Sequence, residues 1–297
     1  MRGLPNEPGV YRFRDRGDQV LYVGRAAQLR SRVASYWSDL GDRSHLAPMV
    51  AAVTRIEAVV CGSRHEAAWL ERNVLEIALP PWNRTPGGQE VPVLIGLDAG
   101  PSTPGLHVLH QPSPVVAESR VFGPYLGGLQ VRHAVSGLER LHPIAYTGTR
   151  LSATERGLAE QRGVVAQDRD ALADALTGIL RRERRAVREA LLALTELRRA
   201  AAAAEAFELA GRINVELEGL EWVTSIQRVT TSAGEDADVT GVSDGLAVTF
   251  TIRAGRLNGW STRRADPHPA PVSTGPKKWR VFAERNAALA AALAGCA

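Results

Sequence analysis

Val10-Tyr-Arg-Phe-Arg-Asp15, then Arg16-Gly17, then Asp18-Gln-Val-Leu-Tyr-Val-Gly24 is the stretch on which the reading of this chain turns. Two runs rich in β-branched and aromatic residues flank a dipeptide suited to a turn, which predicts an antiparallel hairpin. With Arg16-Gly17 as a two-residue loop, Asp15 is expected opposite Asp18, Phe13 opposite Val20, and Tyr11 opposite Tyr22, so that two phenols share one face of the sheet. Such a pair is ordinary aromatic packing, or else two titratable hydroxyls held side by side. Gly24 follows at once, where the absence of a Cβ lets another group approach the backbone or lets the chain turn into the next element.

Working outward, a helix is expected from about Ala26 to Trp37, with Leu29, Val33 and Trp37 on one side and Arg32 and Tyr36, four apart, together on a neighbouring face. That pair reads either as a surface cation–π contact or as a guanidinium and a phenol presented to a ligand. A further helix is expected from about Arg64 to Leu79. Its apolar positions Ala67, Leu70, Val74, Leu75 and Ala78 mark an inward side on which Glu71 also falls. A carboxylate turned inward needs an arginine, a metal ion or a strong donor network, because an unpaired buried charge costs several kcal/mol. Pro80-Pro81 closes this helix and brings Asn83 near the same end of the module.

The remainder divides by composition. Proline is absent from Ile144 to Asp266 and frequent on either side, so the middle of the chain is expected to hold long helices between looped or β-rich flanks. Short β-like runs (VPVLIGL, LHVLH, VVAESRVF) precede a helix around Val131 to Leu141. Apolar residues at three-and-four spacing from Ala171 to Leu197 predict one long amphipathic helix, whose other face carries Arg181, Arg182, Arg184, Arg185, Arg188, Arg198 and Arg199. A solvated face and a phosphate contact both fit that row. A second helix, about Ala203 to Ser225, folds back on it, and a hairpin pair, GLAVTFTIR and RLNGWSTRR, precedes a Pro-rich loop and an Ala-rich helix. Four segments result, 1–90, 91–150, 151–226 and 227–297, with an α+β fold class.

Composition excludes more than it selects. The 297 residues contain 44% hydrophobic residues and carry a net charge of +4, with a pI near 9.4, a weak tilt toward an anionic partner. Of the 36 basic residues only Lys277 and Lys278 are lysines, so an arginine in any one place carries little meaning. Cys61 and Cys296 cannot supply a structural zinc or iron–sulfur site by themselves. No run of 18 apolar residues is present and the start, MRGLPNEPGVYRF, lacks a signal-peptide core, so no membrane association and a cytoplasmic location are expected.

Taken together, these pieces resemble the GIY-YIG nuclease domain, in the version found at the N-terminus of UvrC-type excision-repair nucleases. Leu4-Pro5 and Pro8-Gly9-Val10-Tyr11 match the leading half of its pattern, and Leu21-Tyr22-Val23-Gly24-Arg25 the second half, with arginine replacing the usual lysine. Arg32, Tyr36, Glu71 and Asn83 fall at the family's arginine, tyrosine, metal-binding glutamate and asparagine. Phe122-Gly123-Pro124-Tyr125 with His142-Pro143 resembles the segment that follows in UvrC, without its cysteine cluster. Glu205-Ala206-Phe207-Glu208-Leu209-Ala210-Gly211 resembles a degenerate UVR hairpin, by which such proteins engage UvrB. By this resemblance the second, RNase H-like nuclease is expected to be missing, as in the short Cho-type homologues.

The resemblance implies a Mg²⁺-dependent (or Mn²⁺-dependent) endonuclease that cuts damaged double-stranded DNA on the 3′ side of a lesion in nucleotide excision repair, within the SOS response, with UvrB as a possible partner. It further implies that Glu71 holds the metal, that Tyr11 or Tyr22 deprotonates water with its pKa lowered by Arg25 and Arg32, and that Arg32 clamps phosphate. Tyr36 supports that clamp, Asn83 orients the base or substrate, and Gly24, Arg25 and Arg30 lie along the DNA. Two alternatives stand beside it: an adaptor that binds DNA or UvrB with little activity, and a GIY-YIG endonuclease outside repair.

Overall fold

The computed structural model describes residues 3–38, 40–88, 90–111, 120–231, 234, 236–265 and 273–295. Cys296, the Pro-rich loop at 266–272 and most of the VVAESRVF run lie outside them. In chain order the elements are β1 (Gly9–Arg14), β2 (Val20–Ala26), α1 (Leu29–Ala34), α2 (Ala47–Ala52), β3 (Arg55–Val60), α3 (Arg64–Ile77), β4 (Val93–Asp98), β5 (Gly105–Leu109), β6 (Val121–Tyr125), α4 (Gly128–Leu141), α5 (Ala153–Arg162), α6 (Arg169–Leu180), α7 (Arg184–Ala203), α8 (Phe207–Thr224), β7 (Ala237–Ser243), β8 (Leu246–Arg253), β9 (Arg256–Arg264) and α9 (Lys277–Ala294). Three small antiparallel sheets, ordered β2-β1-β3, β5-β4-β6 and β7-β8-β9, and their helices make this an α+β fold.

Two compact units make up the chain: Met1–Gln89 together with Ile226–Ala297, and Glu90–Ser225. The C-terminal segment, read from sequence as a module of its own, is thus built into the first unit, where α9 packs on β3, β7 and β8 and α3 packs on β9. Its anchoring groups are polar. Asn286 of α9 bonds both backbone groups of Val60, at 2.7 and 3.2 Å. The Asn73 amide of α3 donates to Val229 O, Thr230 Oγ1 and Leu257 O at 3.1, 2.9 and 3.2 Å. Glu66, fully buried, is bound by Arg228 through Nε at 2.9 Å and Nη2 at 3.2 Å, and takes the Arg228 and Gly62 backbone N–H groups as well. This dense set of donors offsets the cost of burying the Glu66 side chain.

The register of the first hairpin differs from the expected one. Tyr11 lies opposite Gly24 and Phe13 opposite Tyr22, with an irregularity that places Arg14 opposite Val20. Arg16-Gly17 does not form a two-residue loop; the chain uses Asp15 to Gln19, with the Asp15 carboxylate accepting the Gln19 N–H at 2.9 Å and Asp18 taking the left-handed conformation at φ 64. A type I′ turn would have put Arg16 at positive φ, which an arginine avoids. Because the slip is two residues, Tyr11, Phe13 and Tyr22 still share a face.

Three helix expectations are also corrected. α1 is six residues, shorter than Ala26 to Trp37, and Trp37 is 40% exposed. α3 stops at Ile77, so Ala78 is exposed. The long helix from Ala171 to Leu197 is two helices, α6 and α7, broken where Arg182 adopts φ 62 and Glu183 N–H returns to Gly178 O at 3.0 Å. The break lets Leu176 and Ile179 of α6 and Leu194 of α7 enter one core. In that second unit α4, α7 and α8 surround the core, and Glu216 of α8 is clamped by Arg140 at 2.6 and 2.7 Å and Ser136 at 2.7 Å. The arginine row on α7 is largely solvated, with Arg185 paired to Glu189 and Arg199 to Glu196.

Candidate active site

The phenols converge on the face of β1 and β2 that packs against α1. Tyr11 and Phe13 sit two apart on β1, Tyr22 on β2 lies opposite Phe13, and Tyr36 is delivered from the turn after α1. The Tyr11 and Tyr36 hydroxyls are hydrogen-bonded at 2.8 Å. Ring centroids are 5.9 Å apart for Tyr11–Tyr36, 6.1 Å for Tyr22–Tyr36 and 6.3 Å for Tyr11–Tyr22. These spacings are ordinary for packed aromatics. What sets the cluster apart is that three hydroxyls point into it. Tyr11 and Tyr36 are buried, whereas Tyr22 is half-buried and reaches solvent.

Gly24 owes its identity to this packing. A Cβ there would stand 2.6 Å from Tyr11 Oη, 2.8 Å from Tyr11 Cζ and 2.8 Å from Tyr22 Cε1. The register explains it: with Tyr11 directly opposite, only a residue without a side chain leaves room for the ring.

Cations surround the phenols. The Arg32 guanidinium lies 5.6 Å from the Tyr36 ring centroid. Arg43, which sequence reasoning missed, lies closer, at 4.9 Å, and donates to Ser35 Oγ at 3.2 Å. Its Nη1 is buried with no hydrogen-bond partner among the described residues. Arg43 stands outside any regular pattern, in the 3₁₀ segment Gly41–Leu46, so spacing gave no sign of it. Arg30 donates to Leu4 O at 2.6 Å, which ties the N-terminal segment to α1.

The acid and the amide arrive at the outer edge of β2. Glu71 is half-buried rather than sunk in the core. Its Oε1 accepts the Arg25 N–H at 3.1 Å, and its Oε2 lies 3.4 Å from Arg25 Nε. Asn83 accepts the Val23 N–H at 2.9 Å and donates to Val23 O at 2.8 Å, and the Trp82 N–H bonds Leu21 O at 3.2 Å. The Asn83 amide therefore behaves as a piece of neighbouring strand, fixing the residue between Tyr22 and Gly24.

The electrostatics overturn one expectation. Burial, then the neighbouring Tyr36 and Tyr22 phenols, push the Tyr11 hydroxyl well above its ordinary pKa, with Arg32 opposing. Tyr22 is likewise raised, by burial first, then by Tyr36 and the Glu71 carboxylate. Cations do not win here because desolvation disfavours the phenolate more than Arg32 favours it. For Arg32 burial acts to lower the pKa, but the phenols of Tyr11, Tyr36 and Tyr22 raise it above the usual arginine value. Tyr11 and Tyr22 are thus held in their neutral form at pH 7.

No three His, Cys, Asp or Glu side chains gather into a metal-binding group among the described residues. A lone half-buried carboxylate beside hydroxyls nonetheless suits Mg²⁺, which takes one or two carboxylates and keeps several waters. Arg25, at 3.4 Å from Oε2, would compete with such an ion. No described helix is long and apolar enough to cross a membrane.

Residues 7–84 match the family model described as the UvrC-like GIY-YIG domain. Over 278 residues the chain is 28% identical to UvrABC system protein C of Synechococcus sp. (strain JA-3-3Ab), covering 87% of this chain and 44% of that one. Over 280 residues it is 31% identical to UvrABC system protein C of Mycobacterium tuberculosis (strain ATCC 25618 / H37Rv), covering 86% and 42%. The chain therefore spans less than half the length of these curated relatives. Among solved structures it is similar to the GIY-YIG N-terminal endonuclease domain of UvrC from Thermotoga maritima, described as bound to its catalytic divalent cation, magnesium. The identity is 29%, coverage 27% of this chain and 88% of that one, and the TM-score 0.25.

Proposed function

We propose, residues 7–84 being a UvrC-like GIY-YIG domain, that this chain is a divalent-cation-dependent endodeoxyribonuclease that nicks damaged duplex DNA in nucleotide excision repair, on the 3′ side of the lesion. The observation that carries the reading is the packing of three phenols beside Arg32, with Tyr11 and Tyr36 hydrogen-bonded at 2.8 Å, next to the edge of β2 where Glu71 and Asn83 bond Arg25 and Val23.

Glu71 would hold one Mg²⁺, which would act as a Lewis acid on the leaving oxygen. Tyr22 is the phenol placed to meet a water and a phosphate, since Tyr11 and Tyr36 are buried. In its ionised form its oxygen takes a proton from the attacking water. The Tyr11–Tyr36 pair holds the neighbouring hydroxyls in place beside it. Arg32 and Arg43 face the phenols as guanidiniums and would receive the non-bridging oxygens of the scissile phosphate, balancing the charge that develops there. Asn83 acts through Val23, keeping Tyr22 and Gly24 in register.

UvrB is the proposed partner, and the hairpin of α7 and α8 its proposed contact, with Phe207 and Leu209 exposed there. The test is a duplex bearing one lesion, incubated with the protein and Mg²⁺ with and without a UvrA/UvrB mixture, the nick being mapped on both sides of the damage. A nick on the 3′ side that requires the mixture supports the reading. Cleavage of undamaged DNA at a fixed sequence would move the protein outside repair, and binding without cleavage would make it an adaptor.

A further inference from the structure

The sheet β2-β1-β3 has two outer edges, and the fold treats them differently. Along β2 the outward groups are closed by Trp82, Asn83 and Glu71 at Leu21, Val23 and Arg25. Along β3, Asn286 closes Val60 alone. Cys61 N–H donates inward to Pro8 O at 2.8 Å, and the pairing Val10–Val59, Arg12–Glu57 continues from it. Alternation along an antiparallel strand then turns the N–H and C=O of Ala58 and Ile56 outward. No described residue pairs with these four groups.

They open into a cleft of about 480 Å³ within the same unit. Its lining includes the five consecutive edge residues Thr54 to Ala58, with Leu246, Val248 and Leu293 as an apolar wall. Arg263 and Arg264 stand exposed at its rim, and neither is in an ion pair with a described carboxylate. Arg55, by contrast, is already held by Asp18 and Glu57. An unclosed strand edge, an apolar wall at strand spacing and two unneutralised cations occur together.

We propose that this cleft binds an extended acidic peptide segment of a partner protein, which adds a fourth strand alongside β3. Ile56 and Ala58 are about 7 Å apart along the strand, so the two outward pairs engage a peptide of four or five residues. Its alternate apolar side chains face Leu246, Val248 and Leu293, and its carboxylates reach Arg263 and Arg264. Charge complementarity selects an acidic ligand. The strand edge selects a peptide over a nucleic acid, because a sugar–phosphate chain cannot return both a donor and an acceptor at each outward residue.

The experiment uses the full chain and a probe peptide, acetyl-Asp-Val-Asp-Val-Glu-Val-amide, with amide hydrogen exchange as the readout. Binding is expected to slow exchange at Ile56 and Ala58 at least tenfold while leaving the amides of β2 unchanged. The double variant Arg263→Glu/Arg264→Glu, exposed at both positions, is expected to keep its melting temperature and to weaken binding at least tenfold. The same peptide with Asn and Gln for its acids, or with proline at its second and fourth positions, is expected to bind at least tenfold more weakly. The proposal is overturned if the Ile56 and Ala58 amides are not slowed at about 1 mM peptide, the ceiling of specific weak binding. It is equally overturned if the neutral peptide binds as well, or if a dodecamer of thymidine displaces the probe.

Discussion

Replacing Gly24 by alanine probes the packing of the phenol cluster with a single methyl group. The new Cβ would be 2.6 Å from Tyr11 Oη and 2.8 Å from both Tyr11 Cζ and Tyr22 Cε1, so both rings must give way by about 1 Å to restore van der Waals contact. Tyr11 has nowhere to go: it is fully buried among Phe13, Tyr36 and Tyr22. Overpacking of this kind costs roughly 1–3 kcal/mol, and loss of the 2.8 Å Tyr11–Tyr36 bond adds about 1 kcal/mol. The expected destabilisation is therefore about 2–4 kcal/mol, a large part of the ~5–15 kcal/mol that holds a domain together. A displacement of about 1 Å in reacting groups costs about 100-fold in rate. Urea unfolding followed by tryptophan fluorescence gives the stability, and single-turnover nicking gives the rate. Gly17→Ala is the control, since a Cβ there meets only Asp15 Oδ1 at 3.4 Å, and a change within about 0.5 kcal/mol is expected. Gly24→Ala with the stability and nicking rate of the parent protein would refute the packing argument and the register behind it.

Other outcomes follow from the same geometry. Glu66→Ala strands the Arg228 guanidinium and two backbone N–H groups; with Arg228 partly exposed the loss should lie near the low end of the range for broken buried pairs, about 3 kcal/mol, read by urea unfolding. Asn83→Ala removes both bonds to Val23, about 1–3 kcal/mol, and should lower the nicking rate constant more than DNA affinity. Because the Tyr22 pKa is raised, the phenolate is the minor form at neutral pH, and log nicking rate should climb with pH from 7 to 9 with a slope near one. A flat profile would remove Tyr22 as the base. The same upward shifts in Tyr11 and Tyr22 mean that stability is complete below the unfolded tyrosine pKa of about 10 and falls as pH rises above it, which chemical denaturation at stepped pH will show.

How much of this was legible in the sequence depends on what each residue's partner is. The hairpin, the shared face of the phenols and the nearness of Arg32 to Tyr36 follow from short-range periodicity, and a two-residue slip in register leaves face parity intact. The register itself was set by loop chemistry, by Asp15 and Asp18 rather than by Arg16-Gly17, and no hydrophobic pattern encodes that. Its apolar neighbours on α3 make Glu71 look inward from spacing alone, whereas it is half-buried. The helix is in fact covered on two sides, and the most deeply buried acid is Glu66. Its partner Arg228, and the carbonyls that hold Asn73, come from residues more than 150 positions later, so local spacing could not announce them. Arg43 escaped for a similar reason: it reaches Tyr36 from an irregular segment.

The most direct test of the account is single-turnover nicking of a single-lesion duplex by the Glu71→Gln variant across a Mg²⁺ titration, set beside direct measurement of Mn²⁺ binding. Glutamine keeps the size of the side chain and its acceptor for the Arg25 N–H while removing the charge. The variant is expected to fold and to lose at least 100-fold in rate, together with its measurable cation affinity. Nicking at the parent rate with the parent metal dependence would contradict the placement of the site.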